Sequence, residues 1–218
     1  MVLALPVRSR ASLRGLYALT PDRTDTVQLE GEVRAAMAGG AAAIQYRNKT
    51  ATTALRLEQA QVLRDACIAC GATFIVNDDV ELAARVGADG VHLGRDDGTI
   101  AAARNRLGAQ AIIGVSCYDS LPRAEIAVAA GADYIAFGSV FPSAVKPDAV
   151  RAPLSVLSVA KARWDVPVVA IGGITAANTR SLIAAGVDAV AVITEVFSAP
   201  DVTAAARAIA ELFTHRVP

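Results

Sequence analysis

One unit recurs along this chain and constrains its fold more than any other feature. An alanine-rich amphipathic stretch ends at a glycine, a short apolar run follows, and a polar cluster closes the unit. Gly39-Gly40 leads to Ala43-Ile44-Gln45-Tyr46-Arg47, Gly71 to Thr73-Phe74-Ile75-Val76-Asn77, and Gly87 to Gly90-Val91-His92-Leu93-Gly94. Gly108, Gly131 and Gly186 introduce the runs 112–116, 134–138 and 189–194; the runs 15–20 and 166–171 lack the glycine. Glycine readily adopts the left-handed turn that ends a helix. A continuous apolar run after it reads as a strand buried on both faces. Helical patterns fill the intervals, as at 52–69, 121–130 and 176–185. Strands alternating with helices mean parallel βαβ units, and eight of them predict a closed (β/α)8 barrel of the α/β class. The rival is an open doubly wound sheet, which usually has fewer strands, and no G-x-G-x-x-G follows the first run. No composition break divides residues 1–218, so one domain is expected, with residues 1–13 as an N-terminal extension.

Composition removes several function classes. The chain is 54% hydrophobic, which excludes disorder. Its 21 basic residues balance 21 acidic ones, so no broad positive field invites nucleic acid or a membrane surface. Mean hydropathy is +0.41. Yet the longest uncharged stretch, Val166 to Thr179, is 14 residues and contains Pro167, Gly172 and Gly173, short of the ~20 a spanning helix needs. Cys67, Cys70 and Cys117 make no disulfide framework, and Cys67-x-x-Cys70 lies in a helical run before Gly71, where packing explains it. Arg8, Arg10 and Arg14 follow a short apolar start, the reverse of a signal peptide. A reducing cytoplasm is the expected location.

Barrel chemistry gathers where strands end. After the second strand, alternation points Gln45, Arg47 and Lys49 one way, two cations and an amide suited to a phosphate-like anion. The other reading is a solvated basic loop. Asn77-Asp78-Asp79 follows the third strand and Gly94-Arg95-Asp96-Asp97 the fourth, so Asp78 and Asp97 are either a magnesium pair or helix caps, with Asp79 and Asp96 as caps or surface. His92, inside its strand, is read as a hydrogen-bonded structural residue, and His215 as solvated. Ser116 offers a hydroxyl after the fifth strand, and Lys146 lies between prolines after the sixth, as surface residue, phosphate ligand or hinge. Gly172-Gly173 and Ile193-Thr194, after the seventh and eighth, match a frequent phosphate site of this fold. Two anion sites, one with metal, suggest group transfer from a diphosphate to a phosphorylated acceptor.

These segments, together with Leu16-Tyr17-Ala18-Leu19-Thr20, Gly114-Val115-Ser116, Gly131-Ala132-Asp133-Tyr134 and Val169 to Ile174, resemble the thiamine-phosphate synthase family, in order from about residue 15 to 197. The resemblance implies a Mg2+-dependent barrel transferase. In that family the ring nitrogen of a hydroxyethylthiazole phosphate attacks the methylene of a hydroxymethylpyrimidine diphosphate in a dissociative step that releases pyrophosphate. It assigns Gln45, Arg47, Lys49, Asn77, Ser116 and Lys146 to the pyrimidine diphosphate, with Arg47, Lys49, Ser116 and Lys146 as the catalytic set. Asp78 and Asp97 take the metal. Gly173, Ile193 and Thr194 take the thiazole phosphate, helped by Ser143. Tyr46, Asn48, Ala144 and Val145 complete the substrate-binding segments. The expected partners are these two small molecules, without nucleic acid or membrane; the oligomeric state is left open.

The chain departs from the family pattern at Tyr46 and Asn48, usually leucine and an acidic residue; at Pro21-Asp22, usually an aspartate straight after the threonine; at Val145, usually threonine; and at Ser143 and Thr194, which keep a hydroxyl. Losing one neutral hydrogen bond at Val145 costs roughly 0.5–1.5 kcal/mol, enough to weaken acceptor binding without abolishing catalysis. Two rivals remain at this point. A thiazole tautomerase-like isomerase of the same superfamily would need neither metal nor diphosphate. A non-catalytic phosphate-binding regulator would bind ligand regardless of magnesium.

Overall fold

The computed structural model describes residues 13–142 and 150–214. Eight parallel strands close into one barrel, each paired with its sequence neighbours and β1 with β8. They are β1 (Gly15–Leu19), β2 (Ala41–Tyr46), β3 (Thr73–Asn77), β4 (Gly90–Leu93), β5 (Ile112–Tyr118), β6 (Tyr134–Phe137), β7 (Val168–Ile171) and β8 (Ala189–Val192). Around them lie α1 (Thr26–Ala38), α2 (Thr53–Cys70), α3 (Val80–Val86), α4 (Ile100–Leu107), α5 (Leu121–Ala129), α6 (Leu154–Arg163), α7 (Ala176–Ala184), α8 (Thr194–Phe197) and α9 (Val202–Thr214). The predicted architecture is therefore the observed one. The seventh strand begins two residues later than its apolar run, at Val168 rather than Val166.

The continuous apolar runs follow from burial on both strand faces. One set of alternate residues, including Leu16, Ile44, Phe74, Val91 and Ile135, packs outward beneath the helices. The other, including Tyr17, Ala43, Ile75, Tyr134, Val169 and Ala191, fills the bore. Helix ends match the sequence signals. Thr52 caps α2 by accepting from the Leu55 amide, and Gly71 ends it at φ 75°. Cys67 is buried inside α2 and Cys70 exposed, neither joined in a disulfide, as helix packing requires. Among the described residues no helix is long and apolar enough to cross a membrane.

At the N-terminal end of the barrel a short signature repeats before every second strand from β4 onward. Asp89, Asp133 and Asp188 each follow a Gly-Ala or Gly-Val pair. Each carboxylate accepts a backbone N–H from the preceding strand, at Phe74 (2.8 Å), Ile113 (2.8 Å) and Val168 (2.9 Å). Asp133 also pairs with Arg104 at 2.6 Å, and Asp188 with Lys161 at 2.8 Å. These clamps hold strand to strand at the end opposite the site.

Candidate active site

The C-terminal end of β2 carries its side chains alternately in and out, as a strand must. Gln45 is buried in the bore, its amide donating to the Tyr17 hydroxyl at 2.7 Å. Arg47 follows on the same side and pairs with Asp22 at 3.2 Å; the same Asp22 oxygen accepts the Lys49 amide at 2.9 Å. Buried Thr20 accepts the Arg47 amide and donates to the Arg47 carbonyl. Thr20 and Asp22 thus fix the cationic segment, with Asp22 one residue later than the family pattern and still on that loop. Tyr46 and Asn48 face the other way. The Tyr46 hydroxyl donates to Gln59 on α2, and Asn48 donates to the Arg23 carbonyl and to Gln59 while its oxygen accepts the Thr50 and Ala51 amides. Their side chains hold the loop against α2, and both residues line the same cavity as Arg47, Lys49, Asn77 and Asp78.

Asp78 directly follows β3 at φ 63°, a left-handed conformation that Asp tolerates better than most residues. Its carboxyl lies within hydrogen-bonding reach of Asp97, and Lys49 Nζ stands 3.9 Å away. Burial and the neighbouring Asp97 raise the Asp78 pKa to about 6, which outweighs the pull of Lys49 in the other direction. Asp97 is held by the Gly94 amide at 2.7 Å. Two carboxylates kept this close repel one another unless a proton or cation lies between them. That chemistry suits a hard divalent ion completed by substrate oxygens. Among the described residues no cluster of three or more His, Cys, Asp or Glu side chains exists. Asp79 does cap its helix, accepting the Leu82 amide at 2.8 Å and pairing with Arg56.

A polar chain crosses the bore just below this mouth. The Tyr17 and Tyr134 hydroxyls are 2.9 Å apart, Tyr134 meets His92 Nδ1 at 2.9 Å, and His92 Nε2 meets Ser116 Oγ at 2.9 Å. The Tyr134 and His92 rings stack with centroids 5.5 Å apart. Gly114 lies in register between them on β5, and a Cβ there would stand 1.9 Å from the Tyr134 ring. Burial lowers the His92 pKa to about 4, so the imidazole is neutral at ordinary pH. The structural role expected of His92 holds. Its two hydroxyl partners were not foreseen, because tyrosine in an apolar run reads as core. Arg123 is a further residue the sequence did not flag. It donates to the Ser116 carbonyl at 2.7 Å and the Gly94 carbonyl at 3.1 Å, tying the ends of β5 and β4 together.

Across the mouth, β7 ends in Gly172-Gly173. Gly173 has φ 63°, and a Cβ there would lie 2.2 Å from the Pro142 carbonyl oxygen, so only glycine fits against that loop. Its own carbonyl accepts from Asn178, which with Thr175 forms the capping box of α7. Ile193 and Thr194 close β8 and open α8. Glu195, also unflagged, accepts the Ala176 amide at 3.3 Å and ties α7 to this corner. The structure therefore brings Gln45, Arg47, Lys49, Asn77, Asp78, Asp97, Ser116, Gly173, Ile193 and Thr194 to one end of the barrel. Ser143, Ala144, Val145, Lys146 and His215 lie outside the described residues.

Known proteins can be set against this geometry. Residues 16–196 match the family described as thiamine monophosphate synthase. A thiamine-phosphate synthase of Chromobacterium violaceum is 57% identical over 204 residues, covering 94% of this chain and 98% of that one. One from an Azoarcus species is 55% identical, covering 92% of this chain and 98% of that one. The solved thiamine phosphate pyrophosphorylase of Pyrococcus furiosus superposes with a TM-score of 0.85 at 38% identity, covering 96% and 99% of the two chains.

Proposed function

The chain belongs to the thiamine monophosphate synthase family, and from that premise we propose how its site makes thiamine phosphate. It is a transferase acting on small molecules. The pyrimidine methylene loses its bond to the diphosphate oxygen and gains one to the thiazole nitrogen, and the electron pair of the broken bond leaves with pyrophosphate. The observation that carries this reading is the convergence of Asp78 and Asp97 beside Lys49, with Arg47 on the same segment.

Arg47 and Lys49 meet the negative charge that grows on the departing pyrophosphate; Asp22 holds Arg47 in line for it. Asp78 and Asp97 would hold magnesium, which when bound supplies further charge neutralisation to the leaving group. Gln45 on β2 and Ser116 on β5 orient the pyrimidine, with Asn77 at the end of β3, a strand lying between those two in the barrel order. Gly173 with Ile193 and Thr194 receives the thiazole phosphate through backbone amides at the ends of β7 and β8. The enzyme then works by positioning two reactants and stabilising a leaving anion.

Purified protein mixed with magnesium, the pyrimidine diphosphate and the thiazole phosphate should release thiamine phosphate and pyrophosphate in equal amounts. Isomerisation of the thiazole phosphate alone, with no pyrophosphate released, would overturn the reading.

A further inference from the structure

Five side chains from five strands form an unbroken hydrogen-bonded line from one ligand-facing residue to another, and nothing in the transfer chemistry uses its three middle members. We propose that Tyr17, Tyr134 and His92 are positioning residues forming a one-way relay, which makes Gln45 present its carbonyl oxygen and Ser116 its hydroxyl hydrogen to the bound ring. This rests on the reading that the mouth binds the pyrimidine.

The direction follows from satisfying every buried group. The Gln45 nitrogen faces Tyr17, and an amide NH2 only donates. Tyr17 is buried, so its own hydrogen needs an acceptor, and the Tyr134 oxygen stands 2.9 Å away. A hydrogen left without one would cost the desolvation of a buried donor. Tyr134 accepts from Tyr17, so its hydrogen goes to His92 Nδ1. A neutral imidazole that accepts at one nitrogen donates at the other, so Nε2–H points to Ser116 Oγ. Ser116 accepts that bond and turns its hydrogen to the mouth. Both phenol rings and the imidazole are fixed by packing, Tyr134 stacked on His92 over Gly114 and edge-on to Tyr17 at 6.0 Å.

Were the Gln45 amide turned over, every bond would run backwards. Gln45 would then show N–H groups and Ser116 a lone pair. The two ends are therefore not independent. They present acceptor and donor together, and the matching ligand edge carries an exocyclic N–H donor on the Gln45 side and a ring nitrogen acceptor on the Ser116 side. A ring bound the wrong way round would lose both bonds at once.

The test reads the relay from one end to the other. A carboxylate in place of the amide can only accept, so Gln45→Glu should reverse the line. In 15N-labelled protein without ligand, His92 should carry its proton on Nε2 in the parent and on Nδ1 in Gln45→Glu. The only other histidine is His215, and a His215→Gln background assigns the signals. Tyr134→Phe keeps the ring over Gly114 and cuts the line, so there Gln45→Glu should no longer move the tautomer; Tyr17→Phe provides a second cut. An unchanged His92 tautomer in Gln45→Glu, or an equal response after the cut, would overturn the relay. These spectra need no substrate, so their failure is separable from absence of synthase activity. In turnover, Tyr134→Phe should raise KM for the pyrimidine diphosphate about tenfold, the loss of one hydrogen bond, with KM for the thiazole phosphate unmoved. An equal rise in both would mean a merely structural tyrosine.

Discussion

At the N-terminal end of the barrel, Asp89, Asp133 and Asp188 each accept a backbone N–H, and the last two also face a cation. At the C-terminal end, Asp78 and Asp97 face one another, with Lys49 at 3.9 Å from Asp78. The residue type is the same and the strands are neighbours. One set is satisfied by the fold, and the other is left with charge that the fold does not neutralise. In this architecture the first arrangement stabilises and the second is available to a ligand. Substitutions at the two ends should therefore separate activity from stability.

The largest effect belongs to the C-terminal pair. Asp78→Asn should lower kcat/KM by about 10²–10³-fold, the scale for losing one preorganised electrostatic contact to a leaving group. Asparagine accepts the left-handed backbone at φ 63°, which alanine would strain. The thermal midpoint near neutral pH should hold or rise, because a repulsive pair is gone. Full activity with a normal magnesium requirement would break the comparison. Asp188→Ala should do the reverse. It strands the Val168 amide and leaves Lys161 without its carboxylate. A loss of about 2–4 kcal/mol follows, read as a lower midpoint in calorimetry with kcat unchanged.

The eight strands and the strand-end residues were legible in the sequence because two-sided burial writes itself as continuous apolar runs, and because a strand's end is fixed by where its run stops. Alternation placed Gln45, Arg47 and Lys49 together; the same rule turns the Tyr46 and Asn48 side chains toward Gln59, while both residues still line the cavity beside Arg47 and Lys49. Asp78 and Asp97 were ambiguous between cap and metal, since both readings need an oxygen at the same place in the chain. The structure gives the two caps to other residues, Asp79 for α3 and Thr99 for α4, which removes the cap reading and leaves the metal pair as a proposal. The Tyr17–Tyr134–His92 line had no sequence signal. Its members are 117 and 42 residues apart and meet because Gly114 leaves room for a ring.

The next effect is smaller and depends on pH. The Asp78 carboxyl sits at about 6 against 3.8 when unfolded, so the folded protein binds its proton more tightly. Without metal, the stabilisation from this group is complete below about pH 3.8 and is lost as pH rises through about 6. Magnesium held by this pair, as proposed, would have to displace that proton. Its affinity should therefore fall about tenfold per pH unit below about 6. Calorimetric midpoints with and without magnesium check this: the ion should raise the midpoint well above pH 6 and do little well below it. A magnesium effect independent of pH would place the ion elsewhere.

The smallest effect tests the contrast at its closest range, between adjacent residues. Asp79 points back to cap α3 and pairs with Arg56, while Asp78 points into the mouth. Asp79→Ala should cost about 1–2 kcal/mol from the lost cap and a half-exposed ion pair. A chain of this size loses about 2–4 °C in midpoint per kcal/mol. Magnesium affinity should stay at the parent value, since neither carboxylate of the pair is touched. Asp79→Ser should recover the cap but not the ion pair, and so most of the stability. If Asp79→Ala instead weakens magnesium as much as Asp78→Asn does, the left-handed backbone at Asp78 depends on the first turn of α3. Satisfied and unsatisfied aspartates would then be one mechanical unit at this end of the barrel, and the separation of roles would hold only between the two ends.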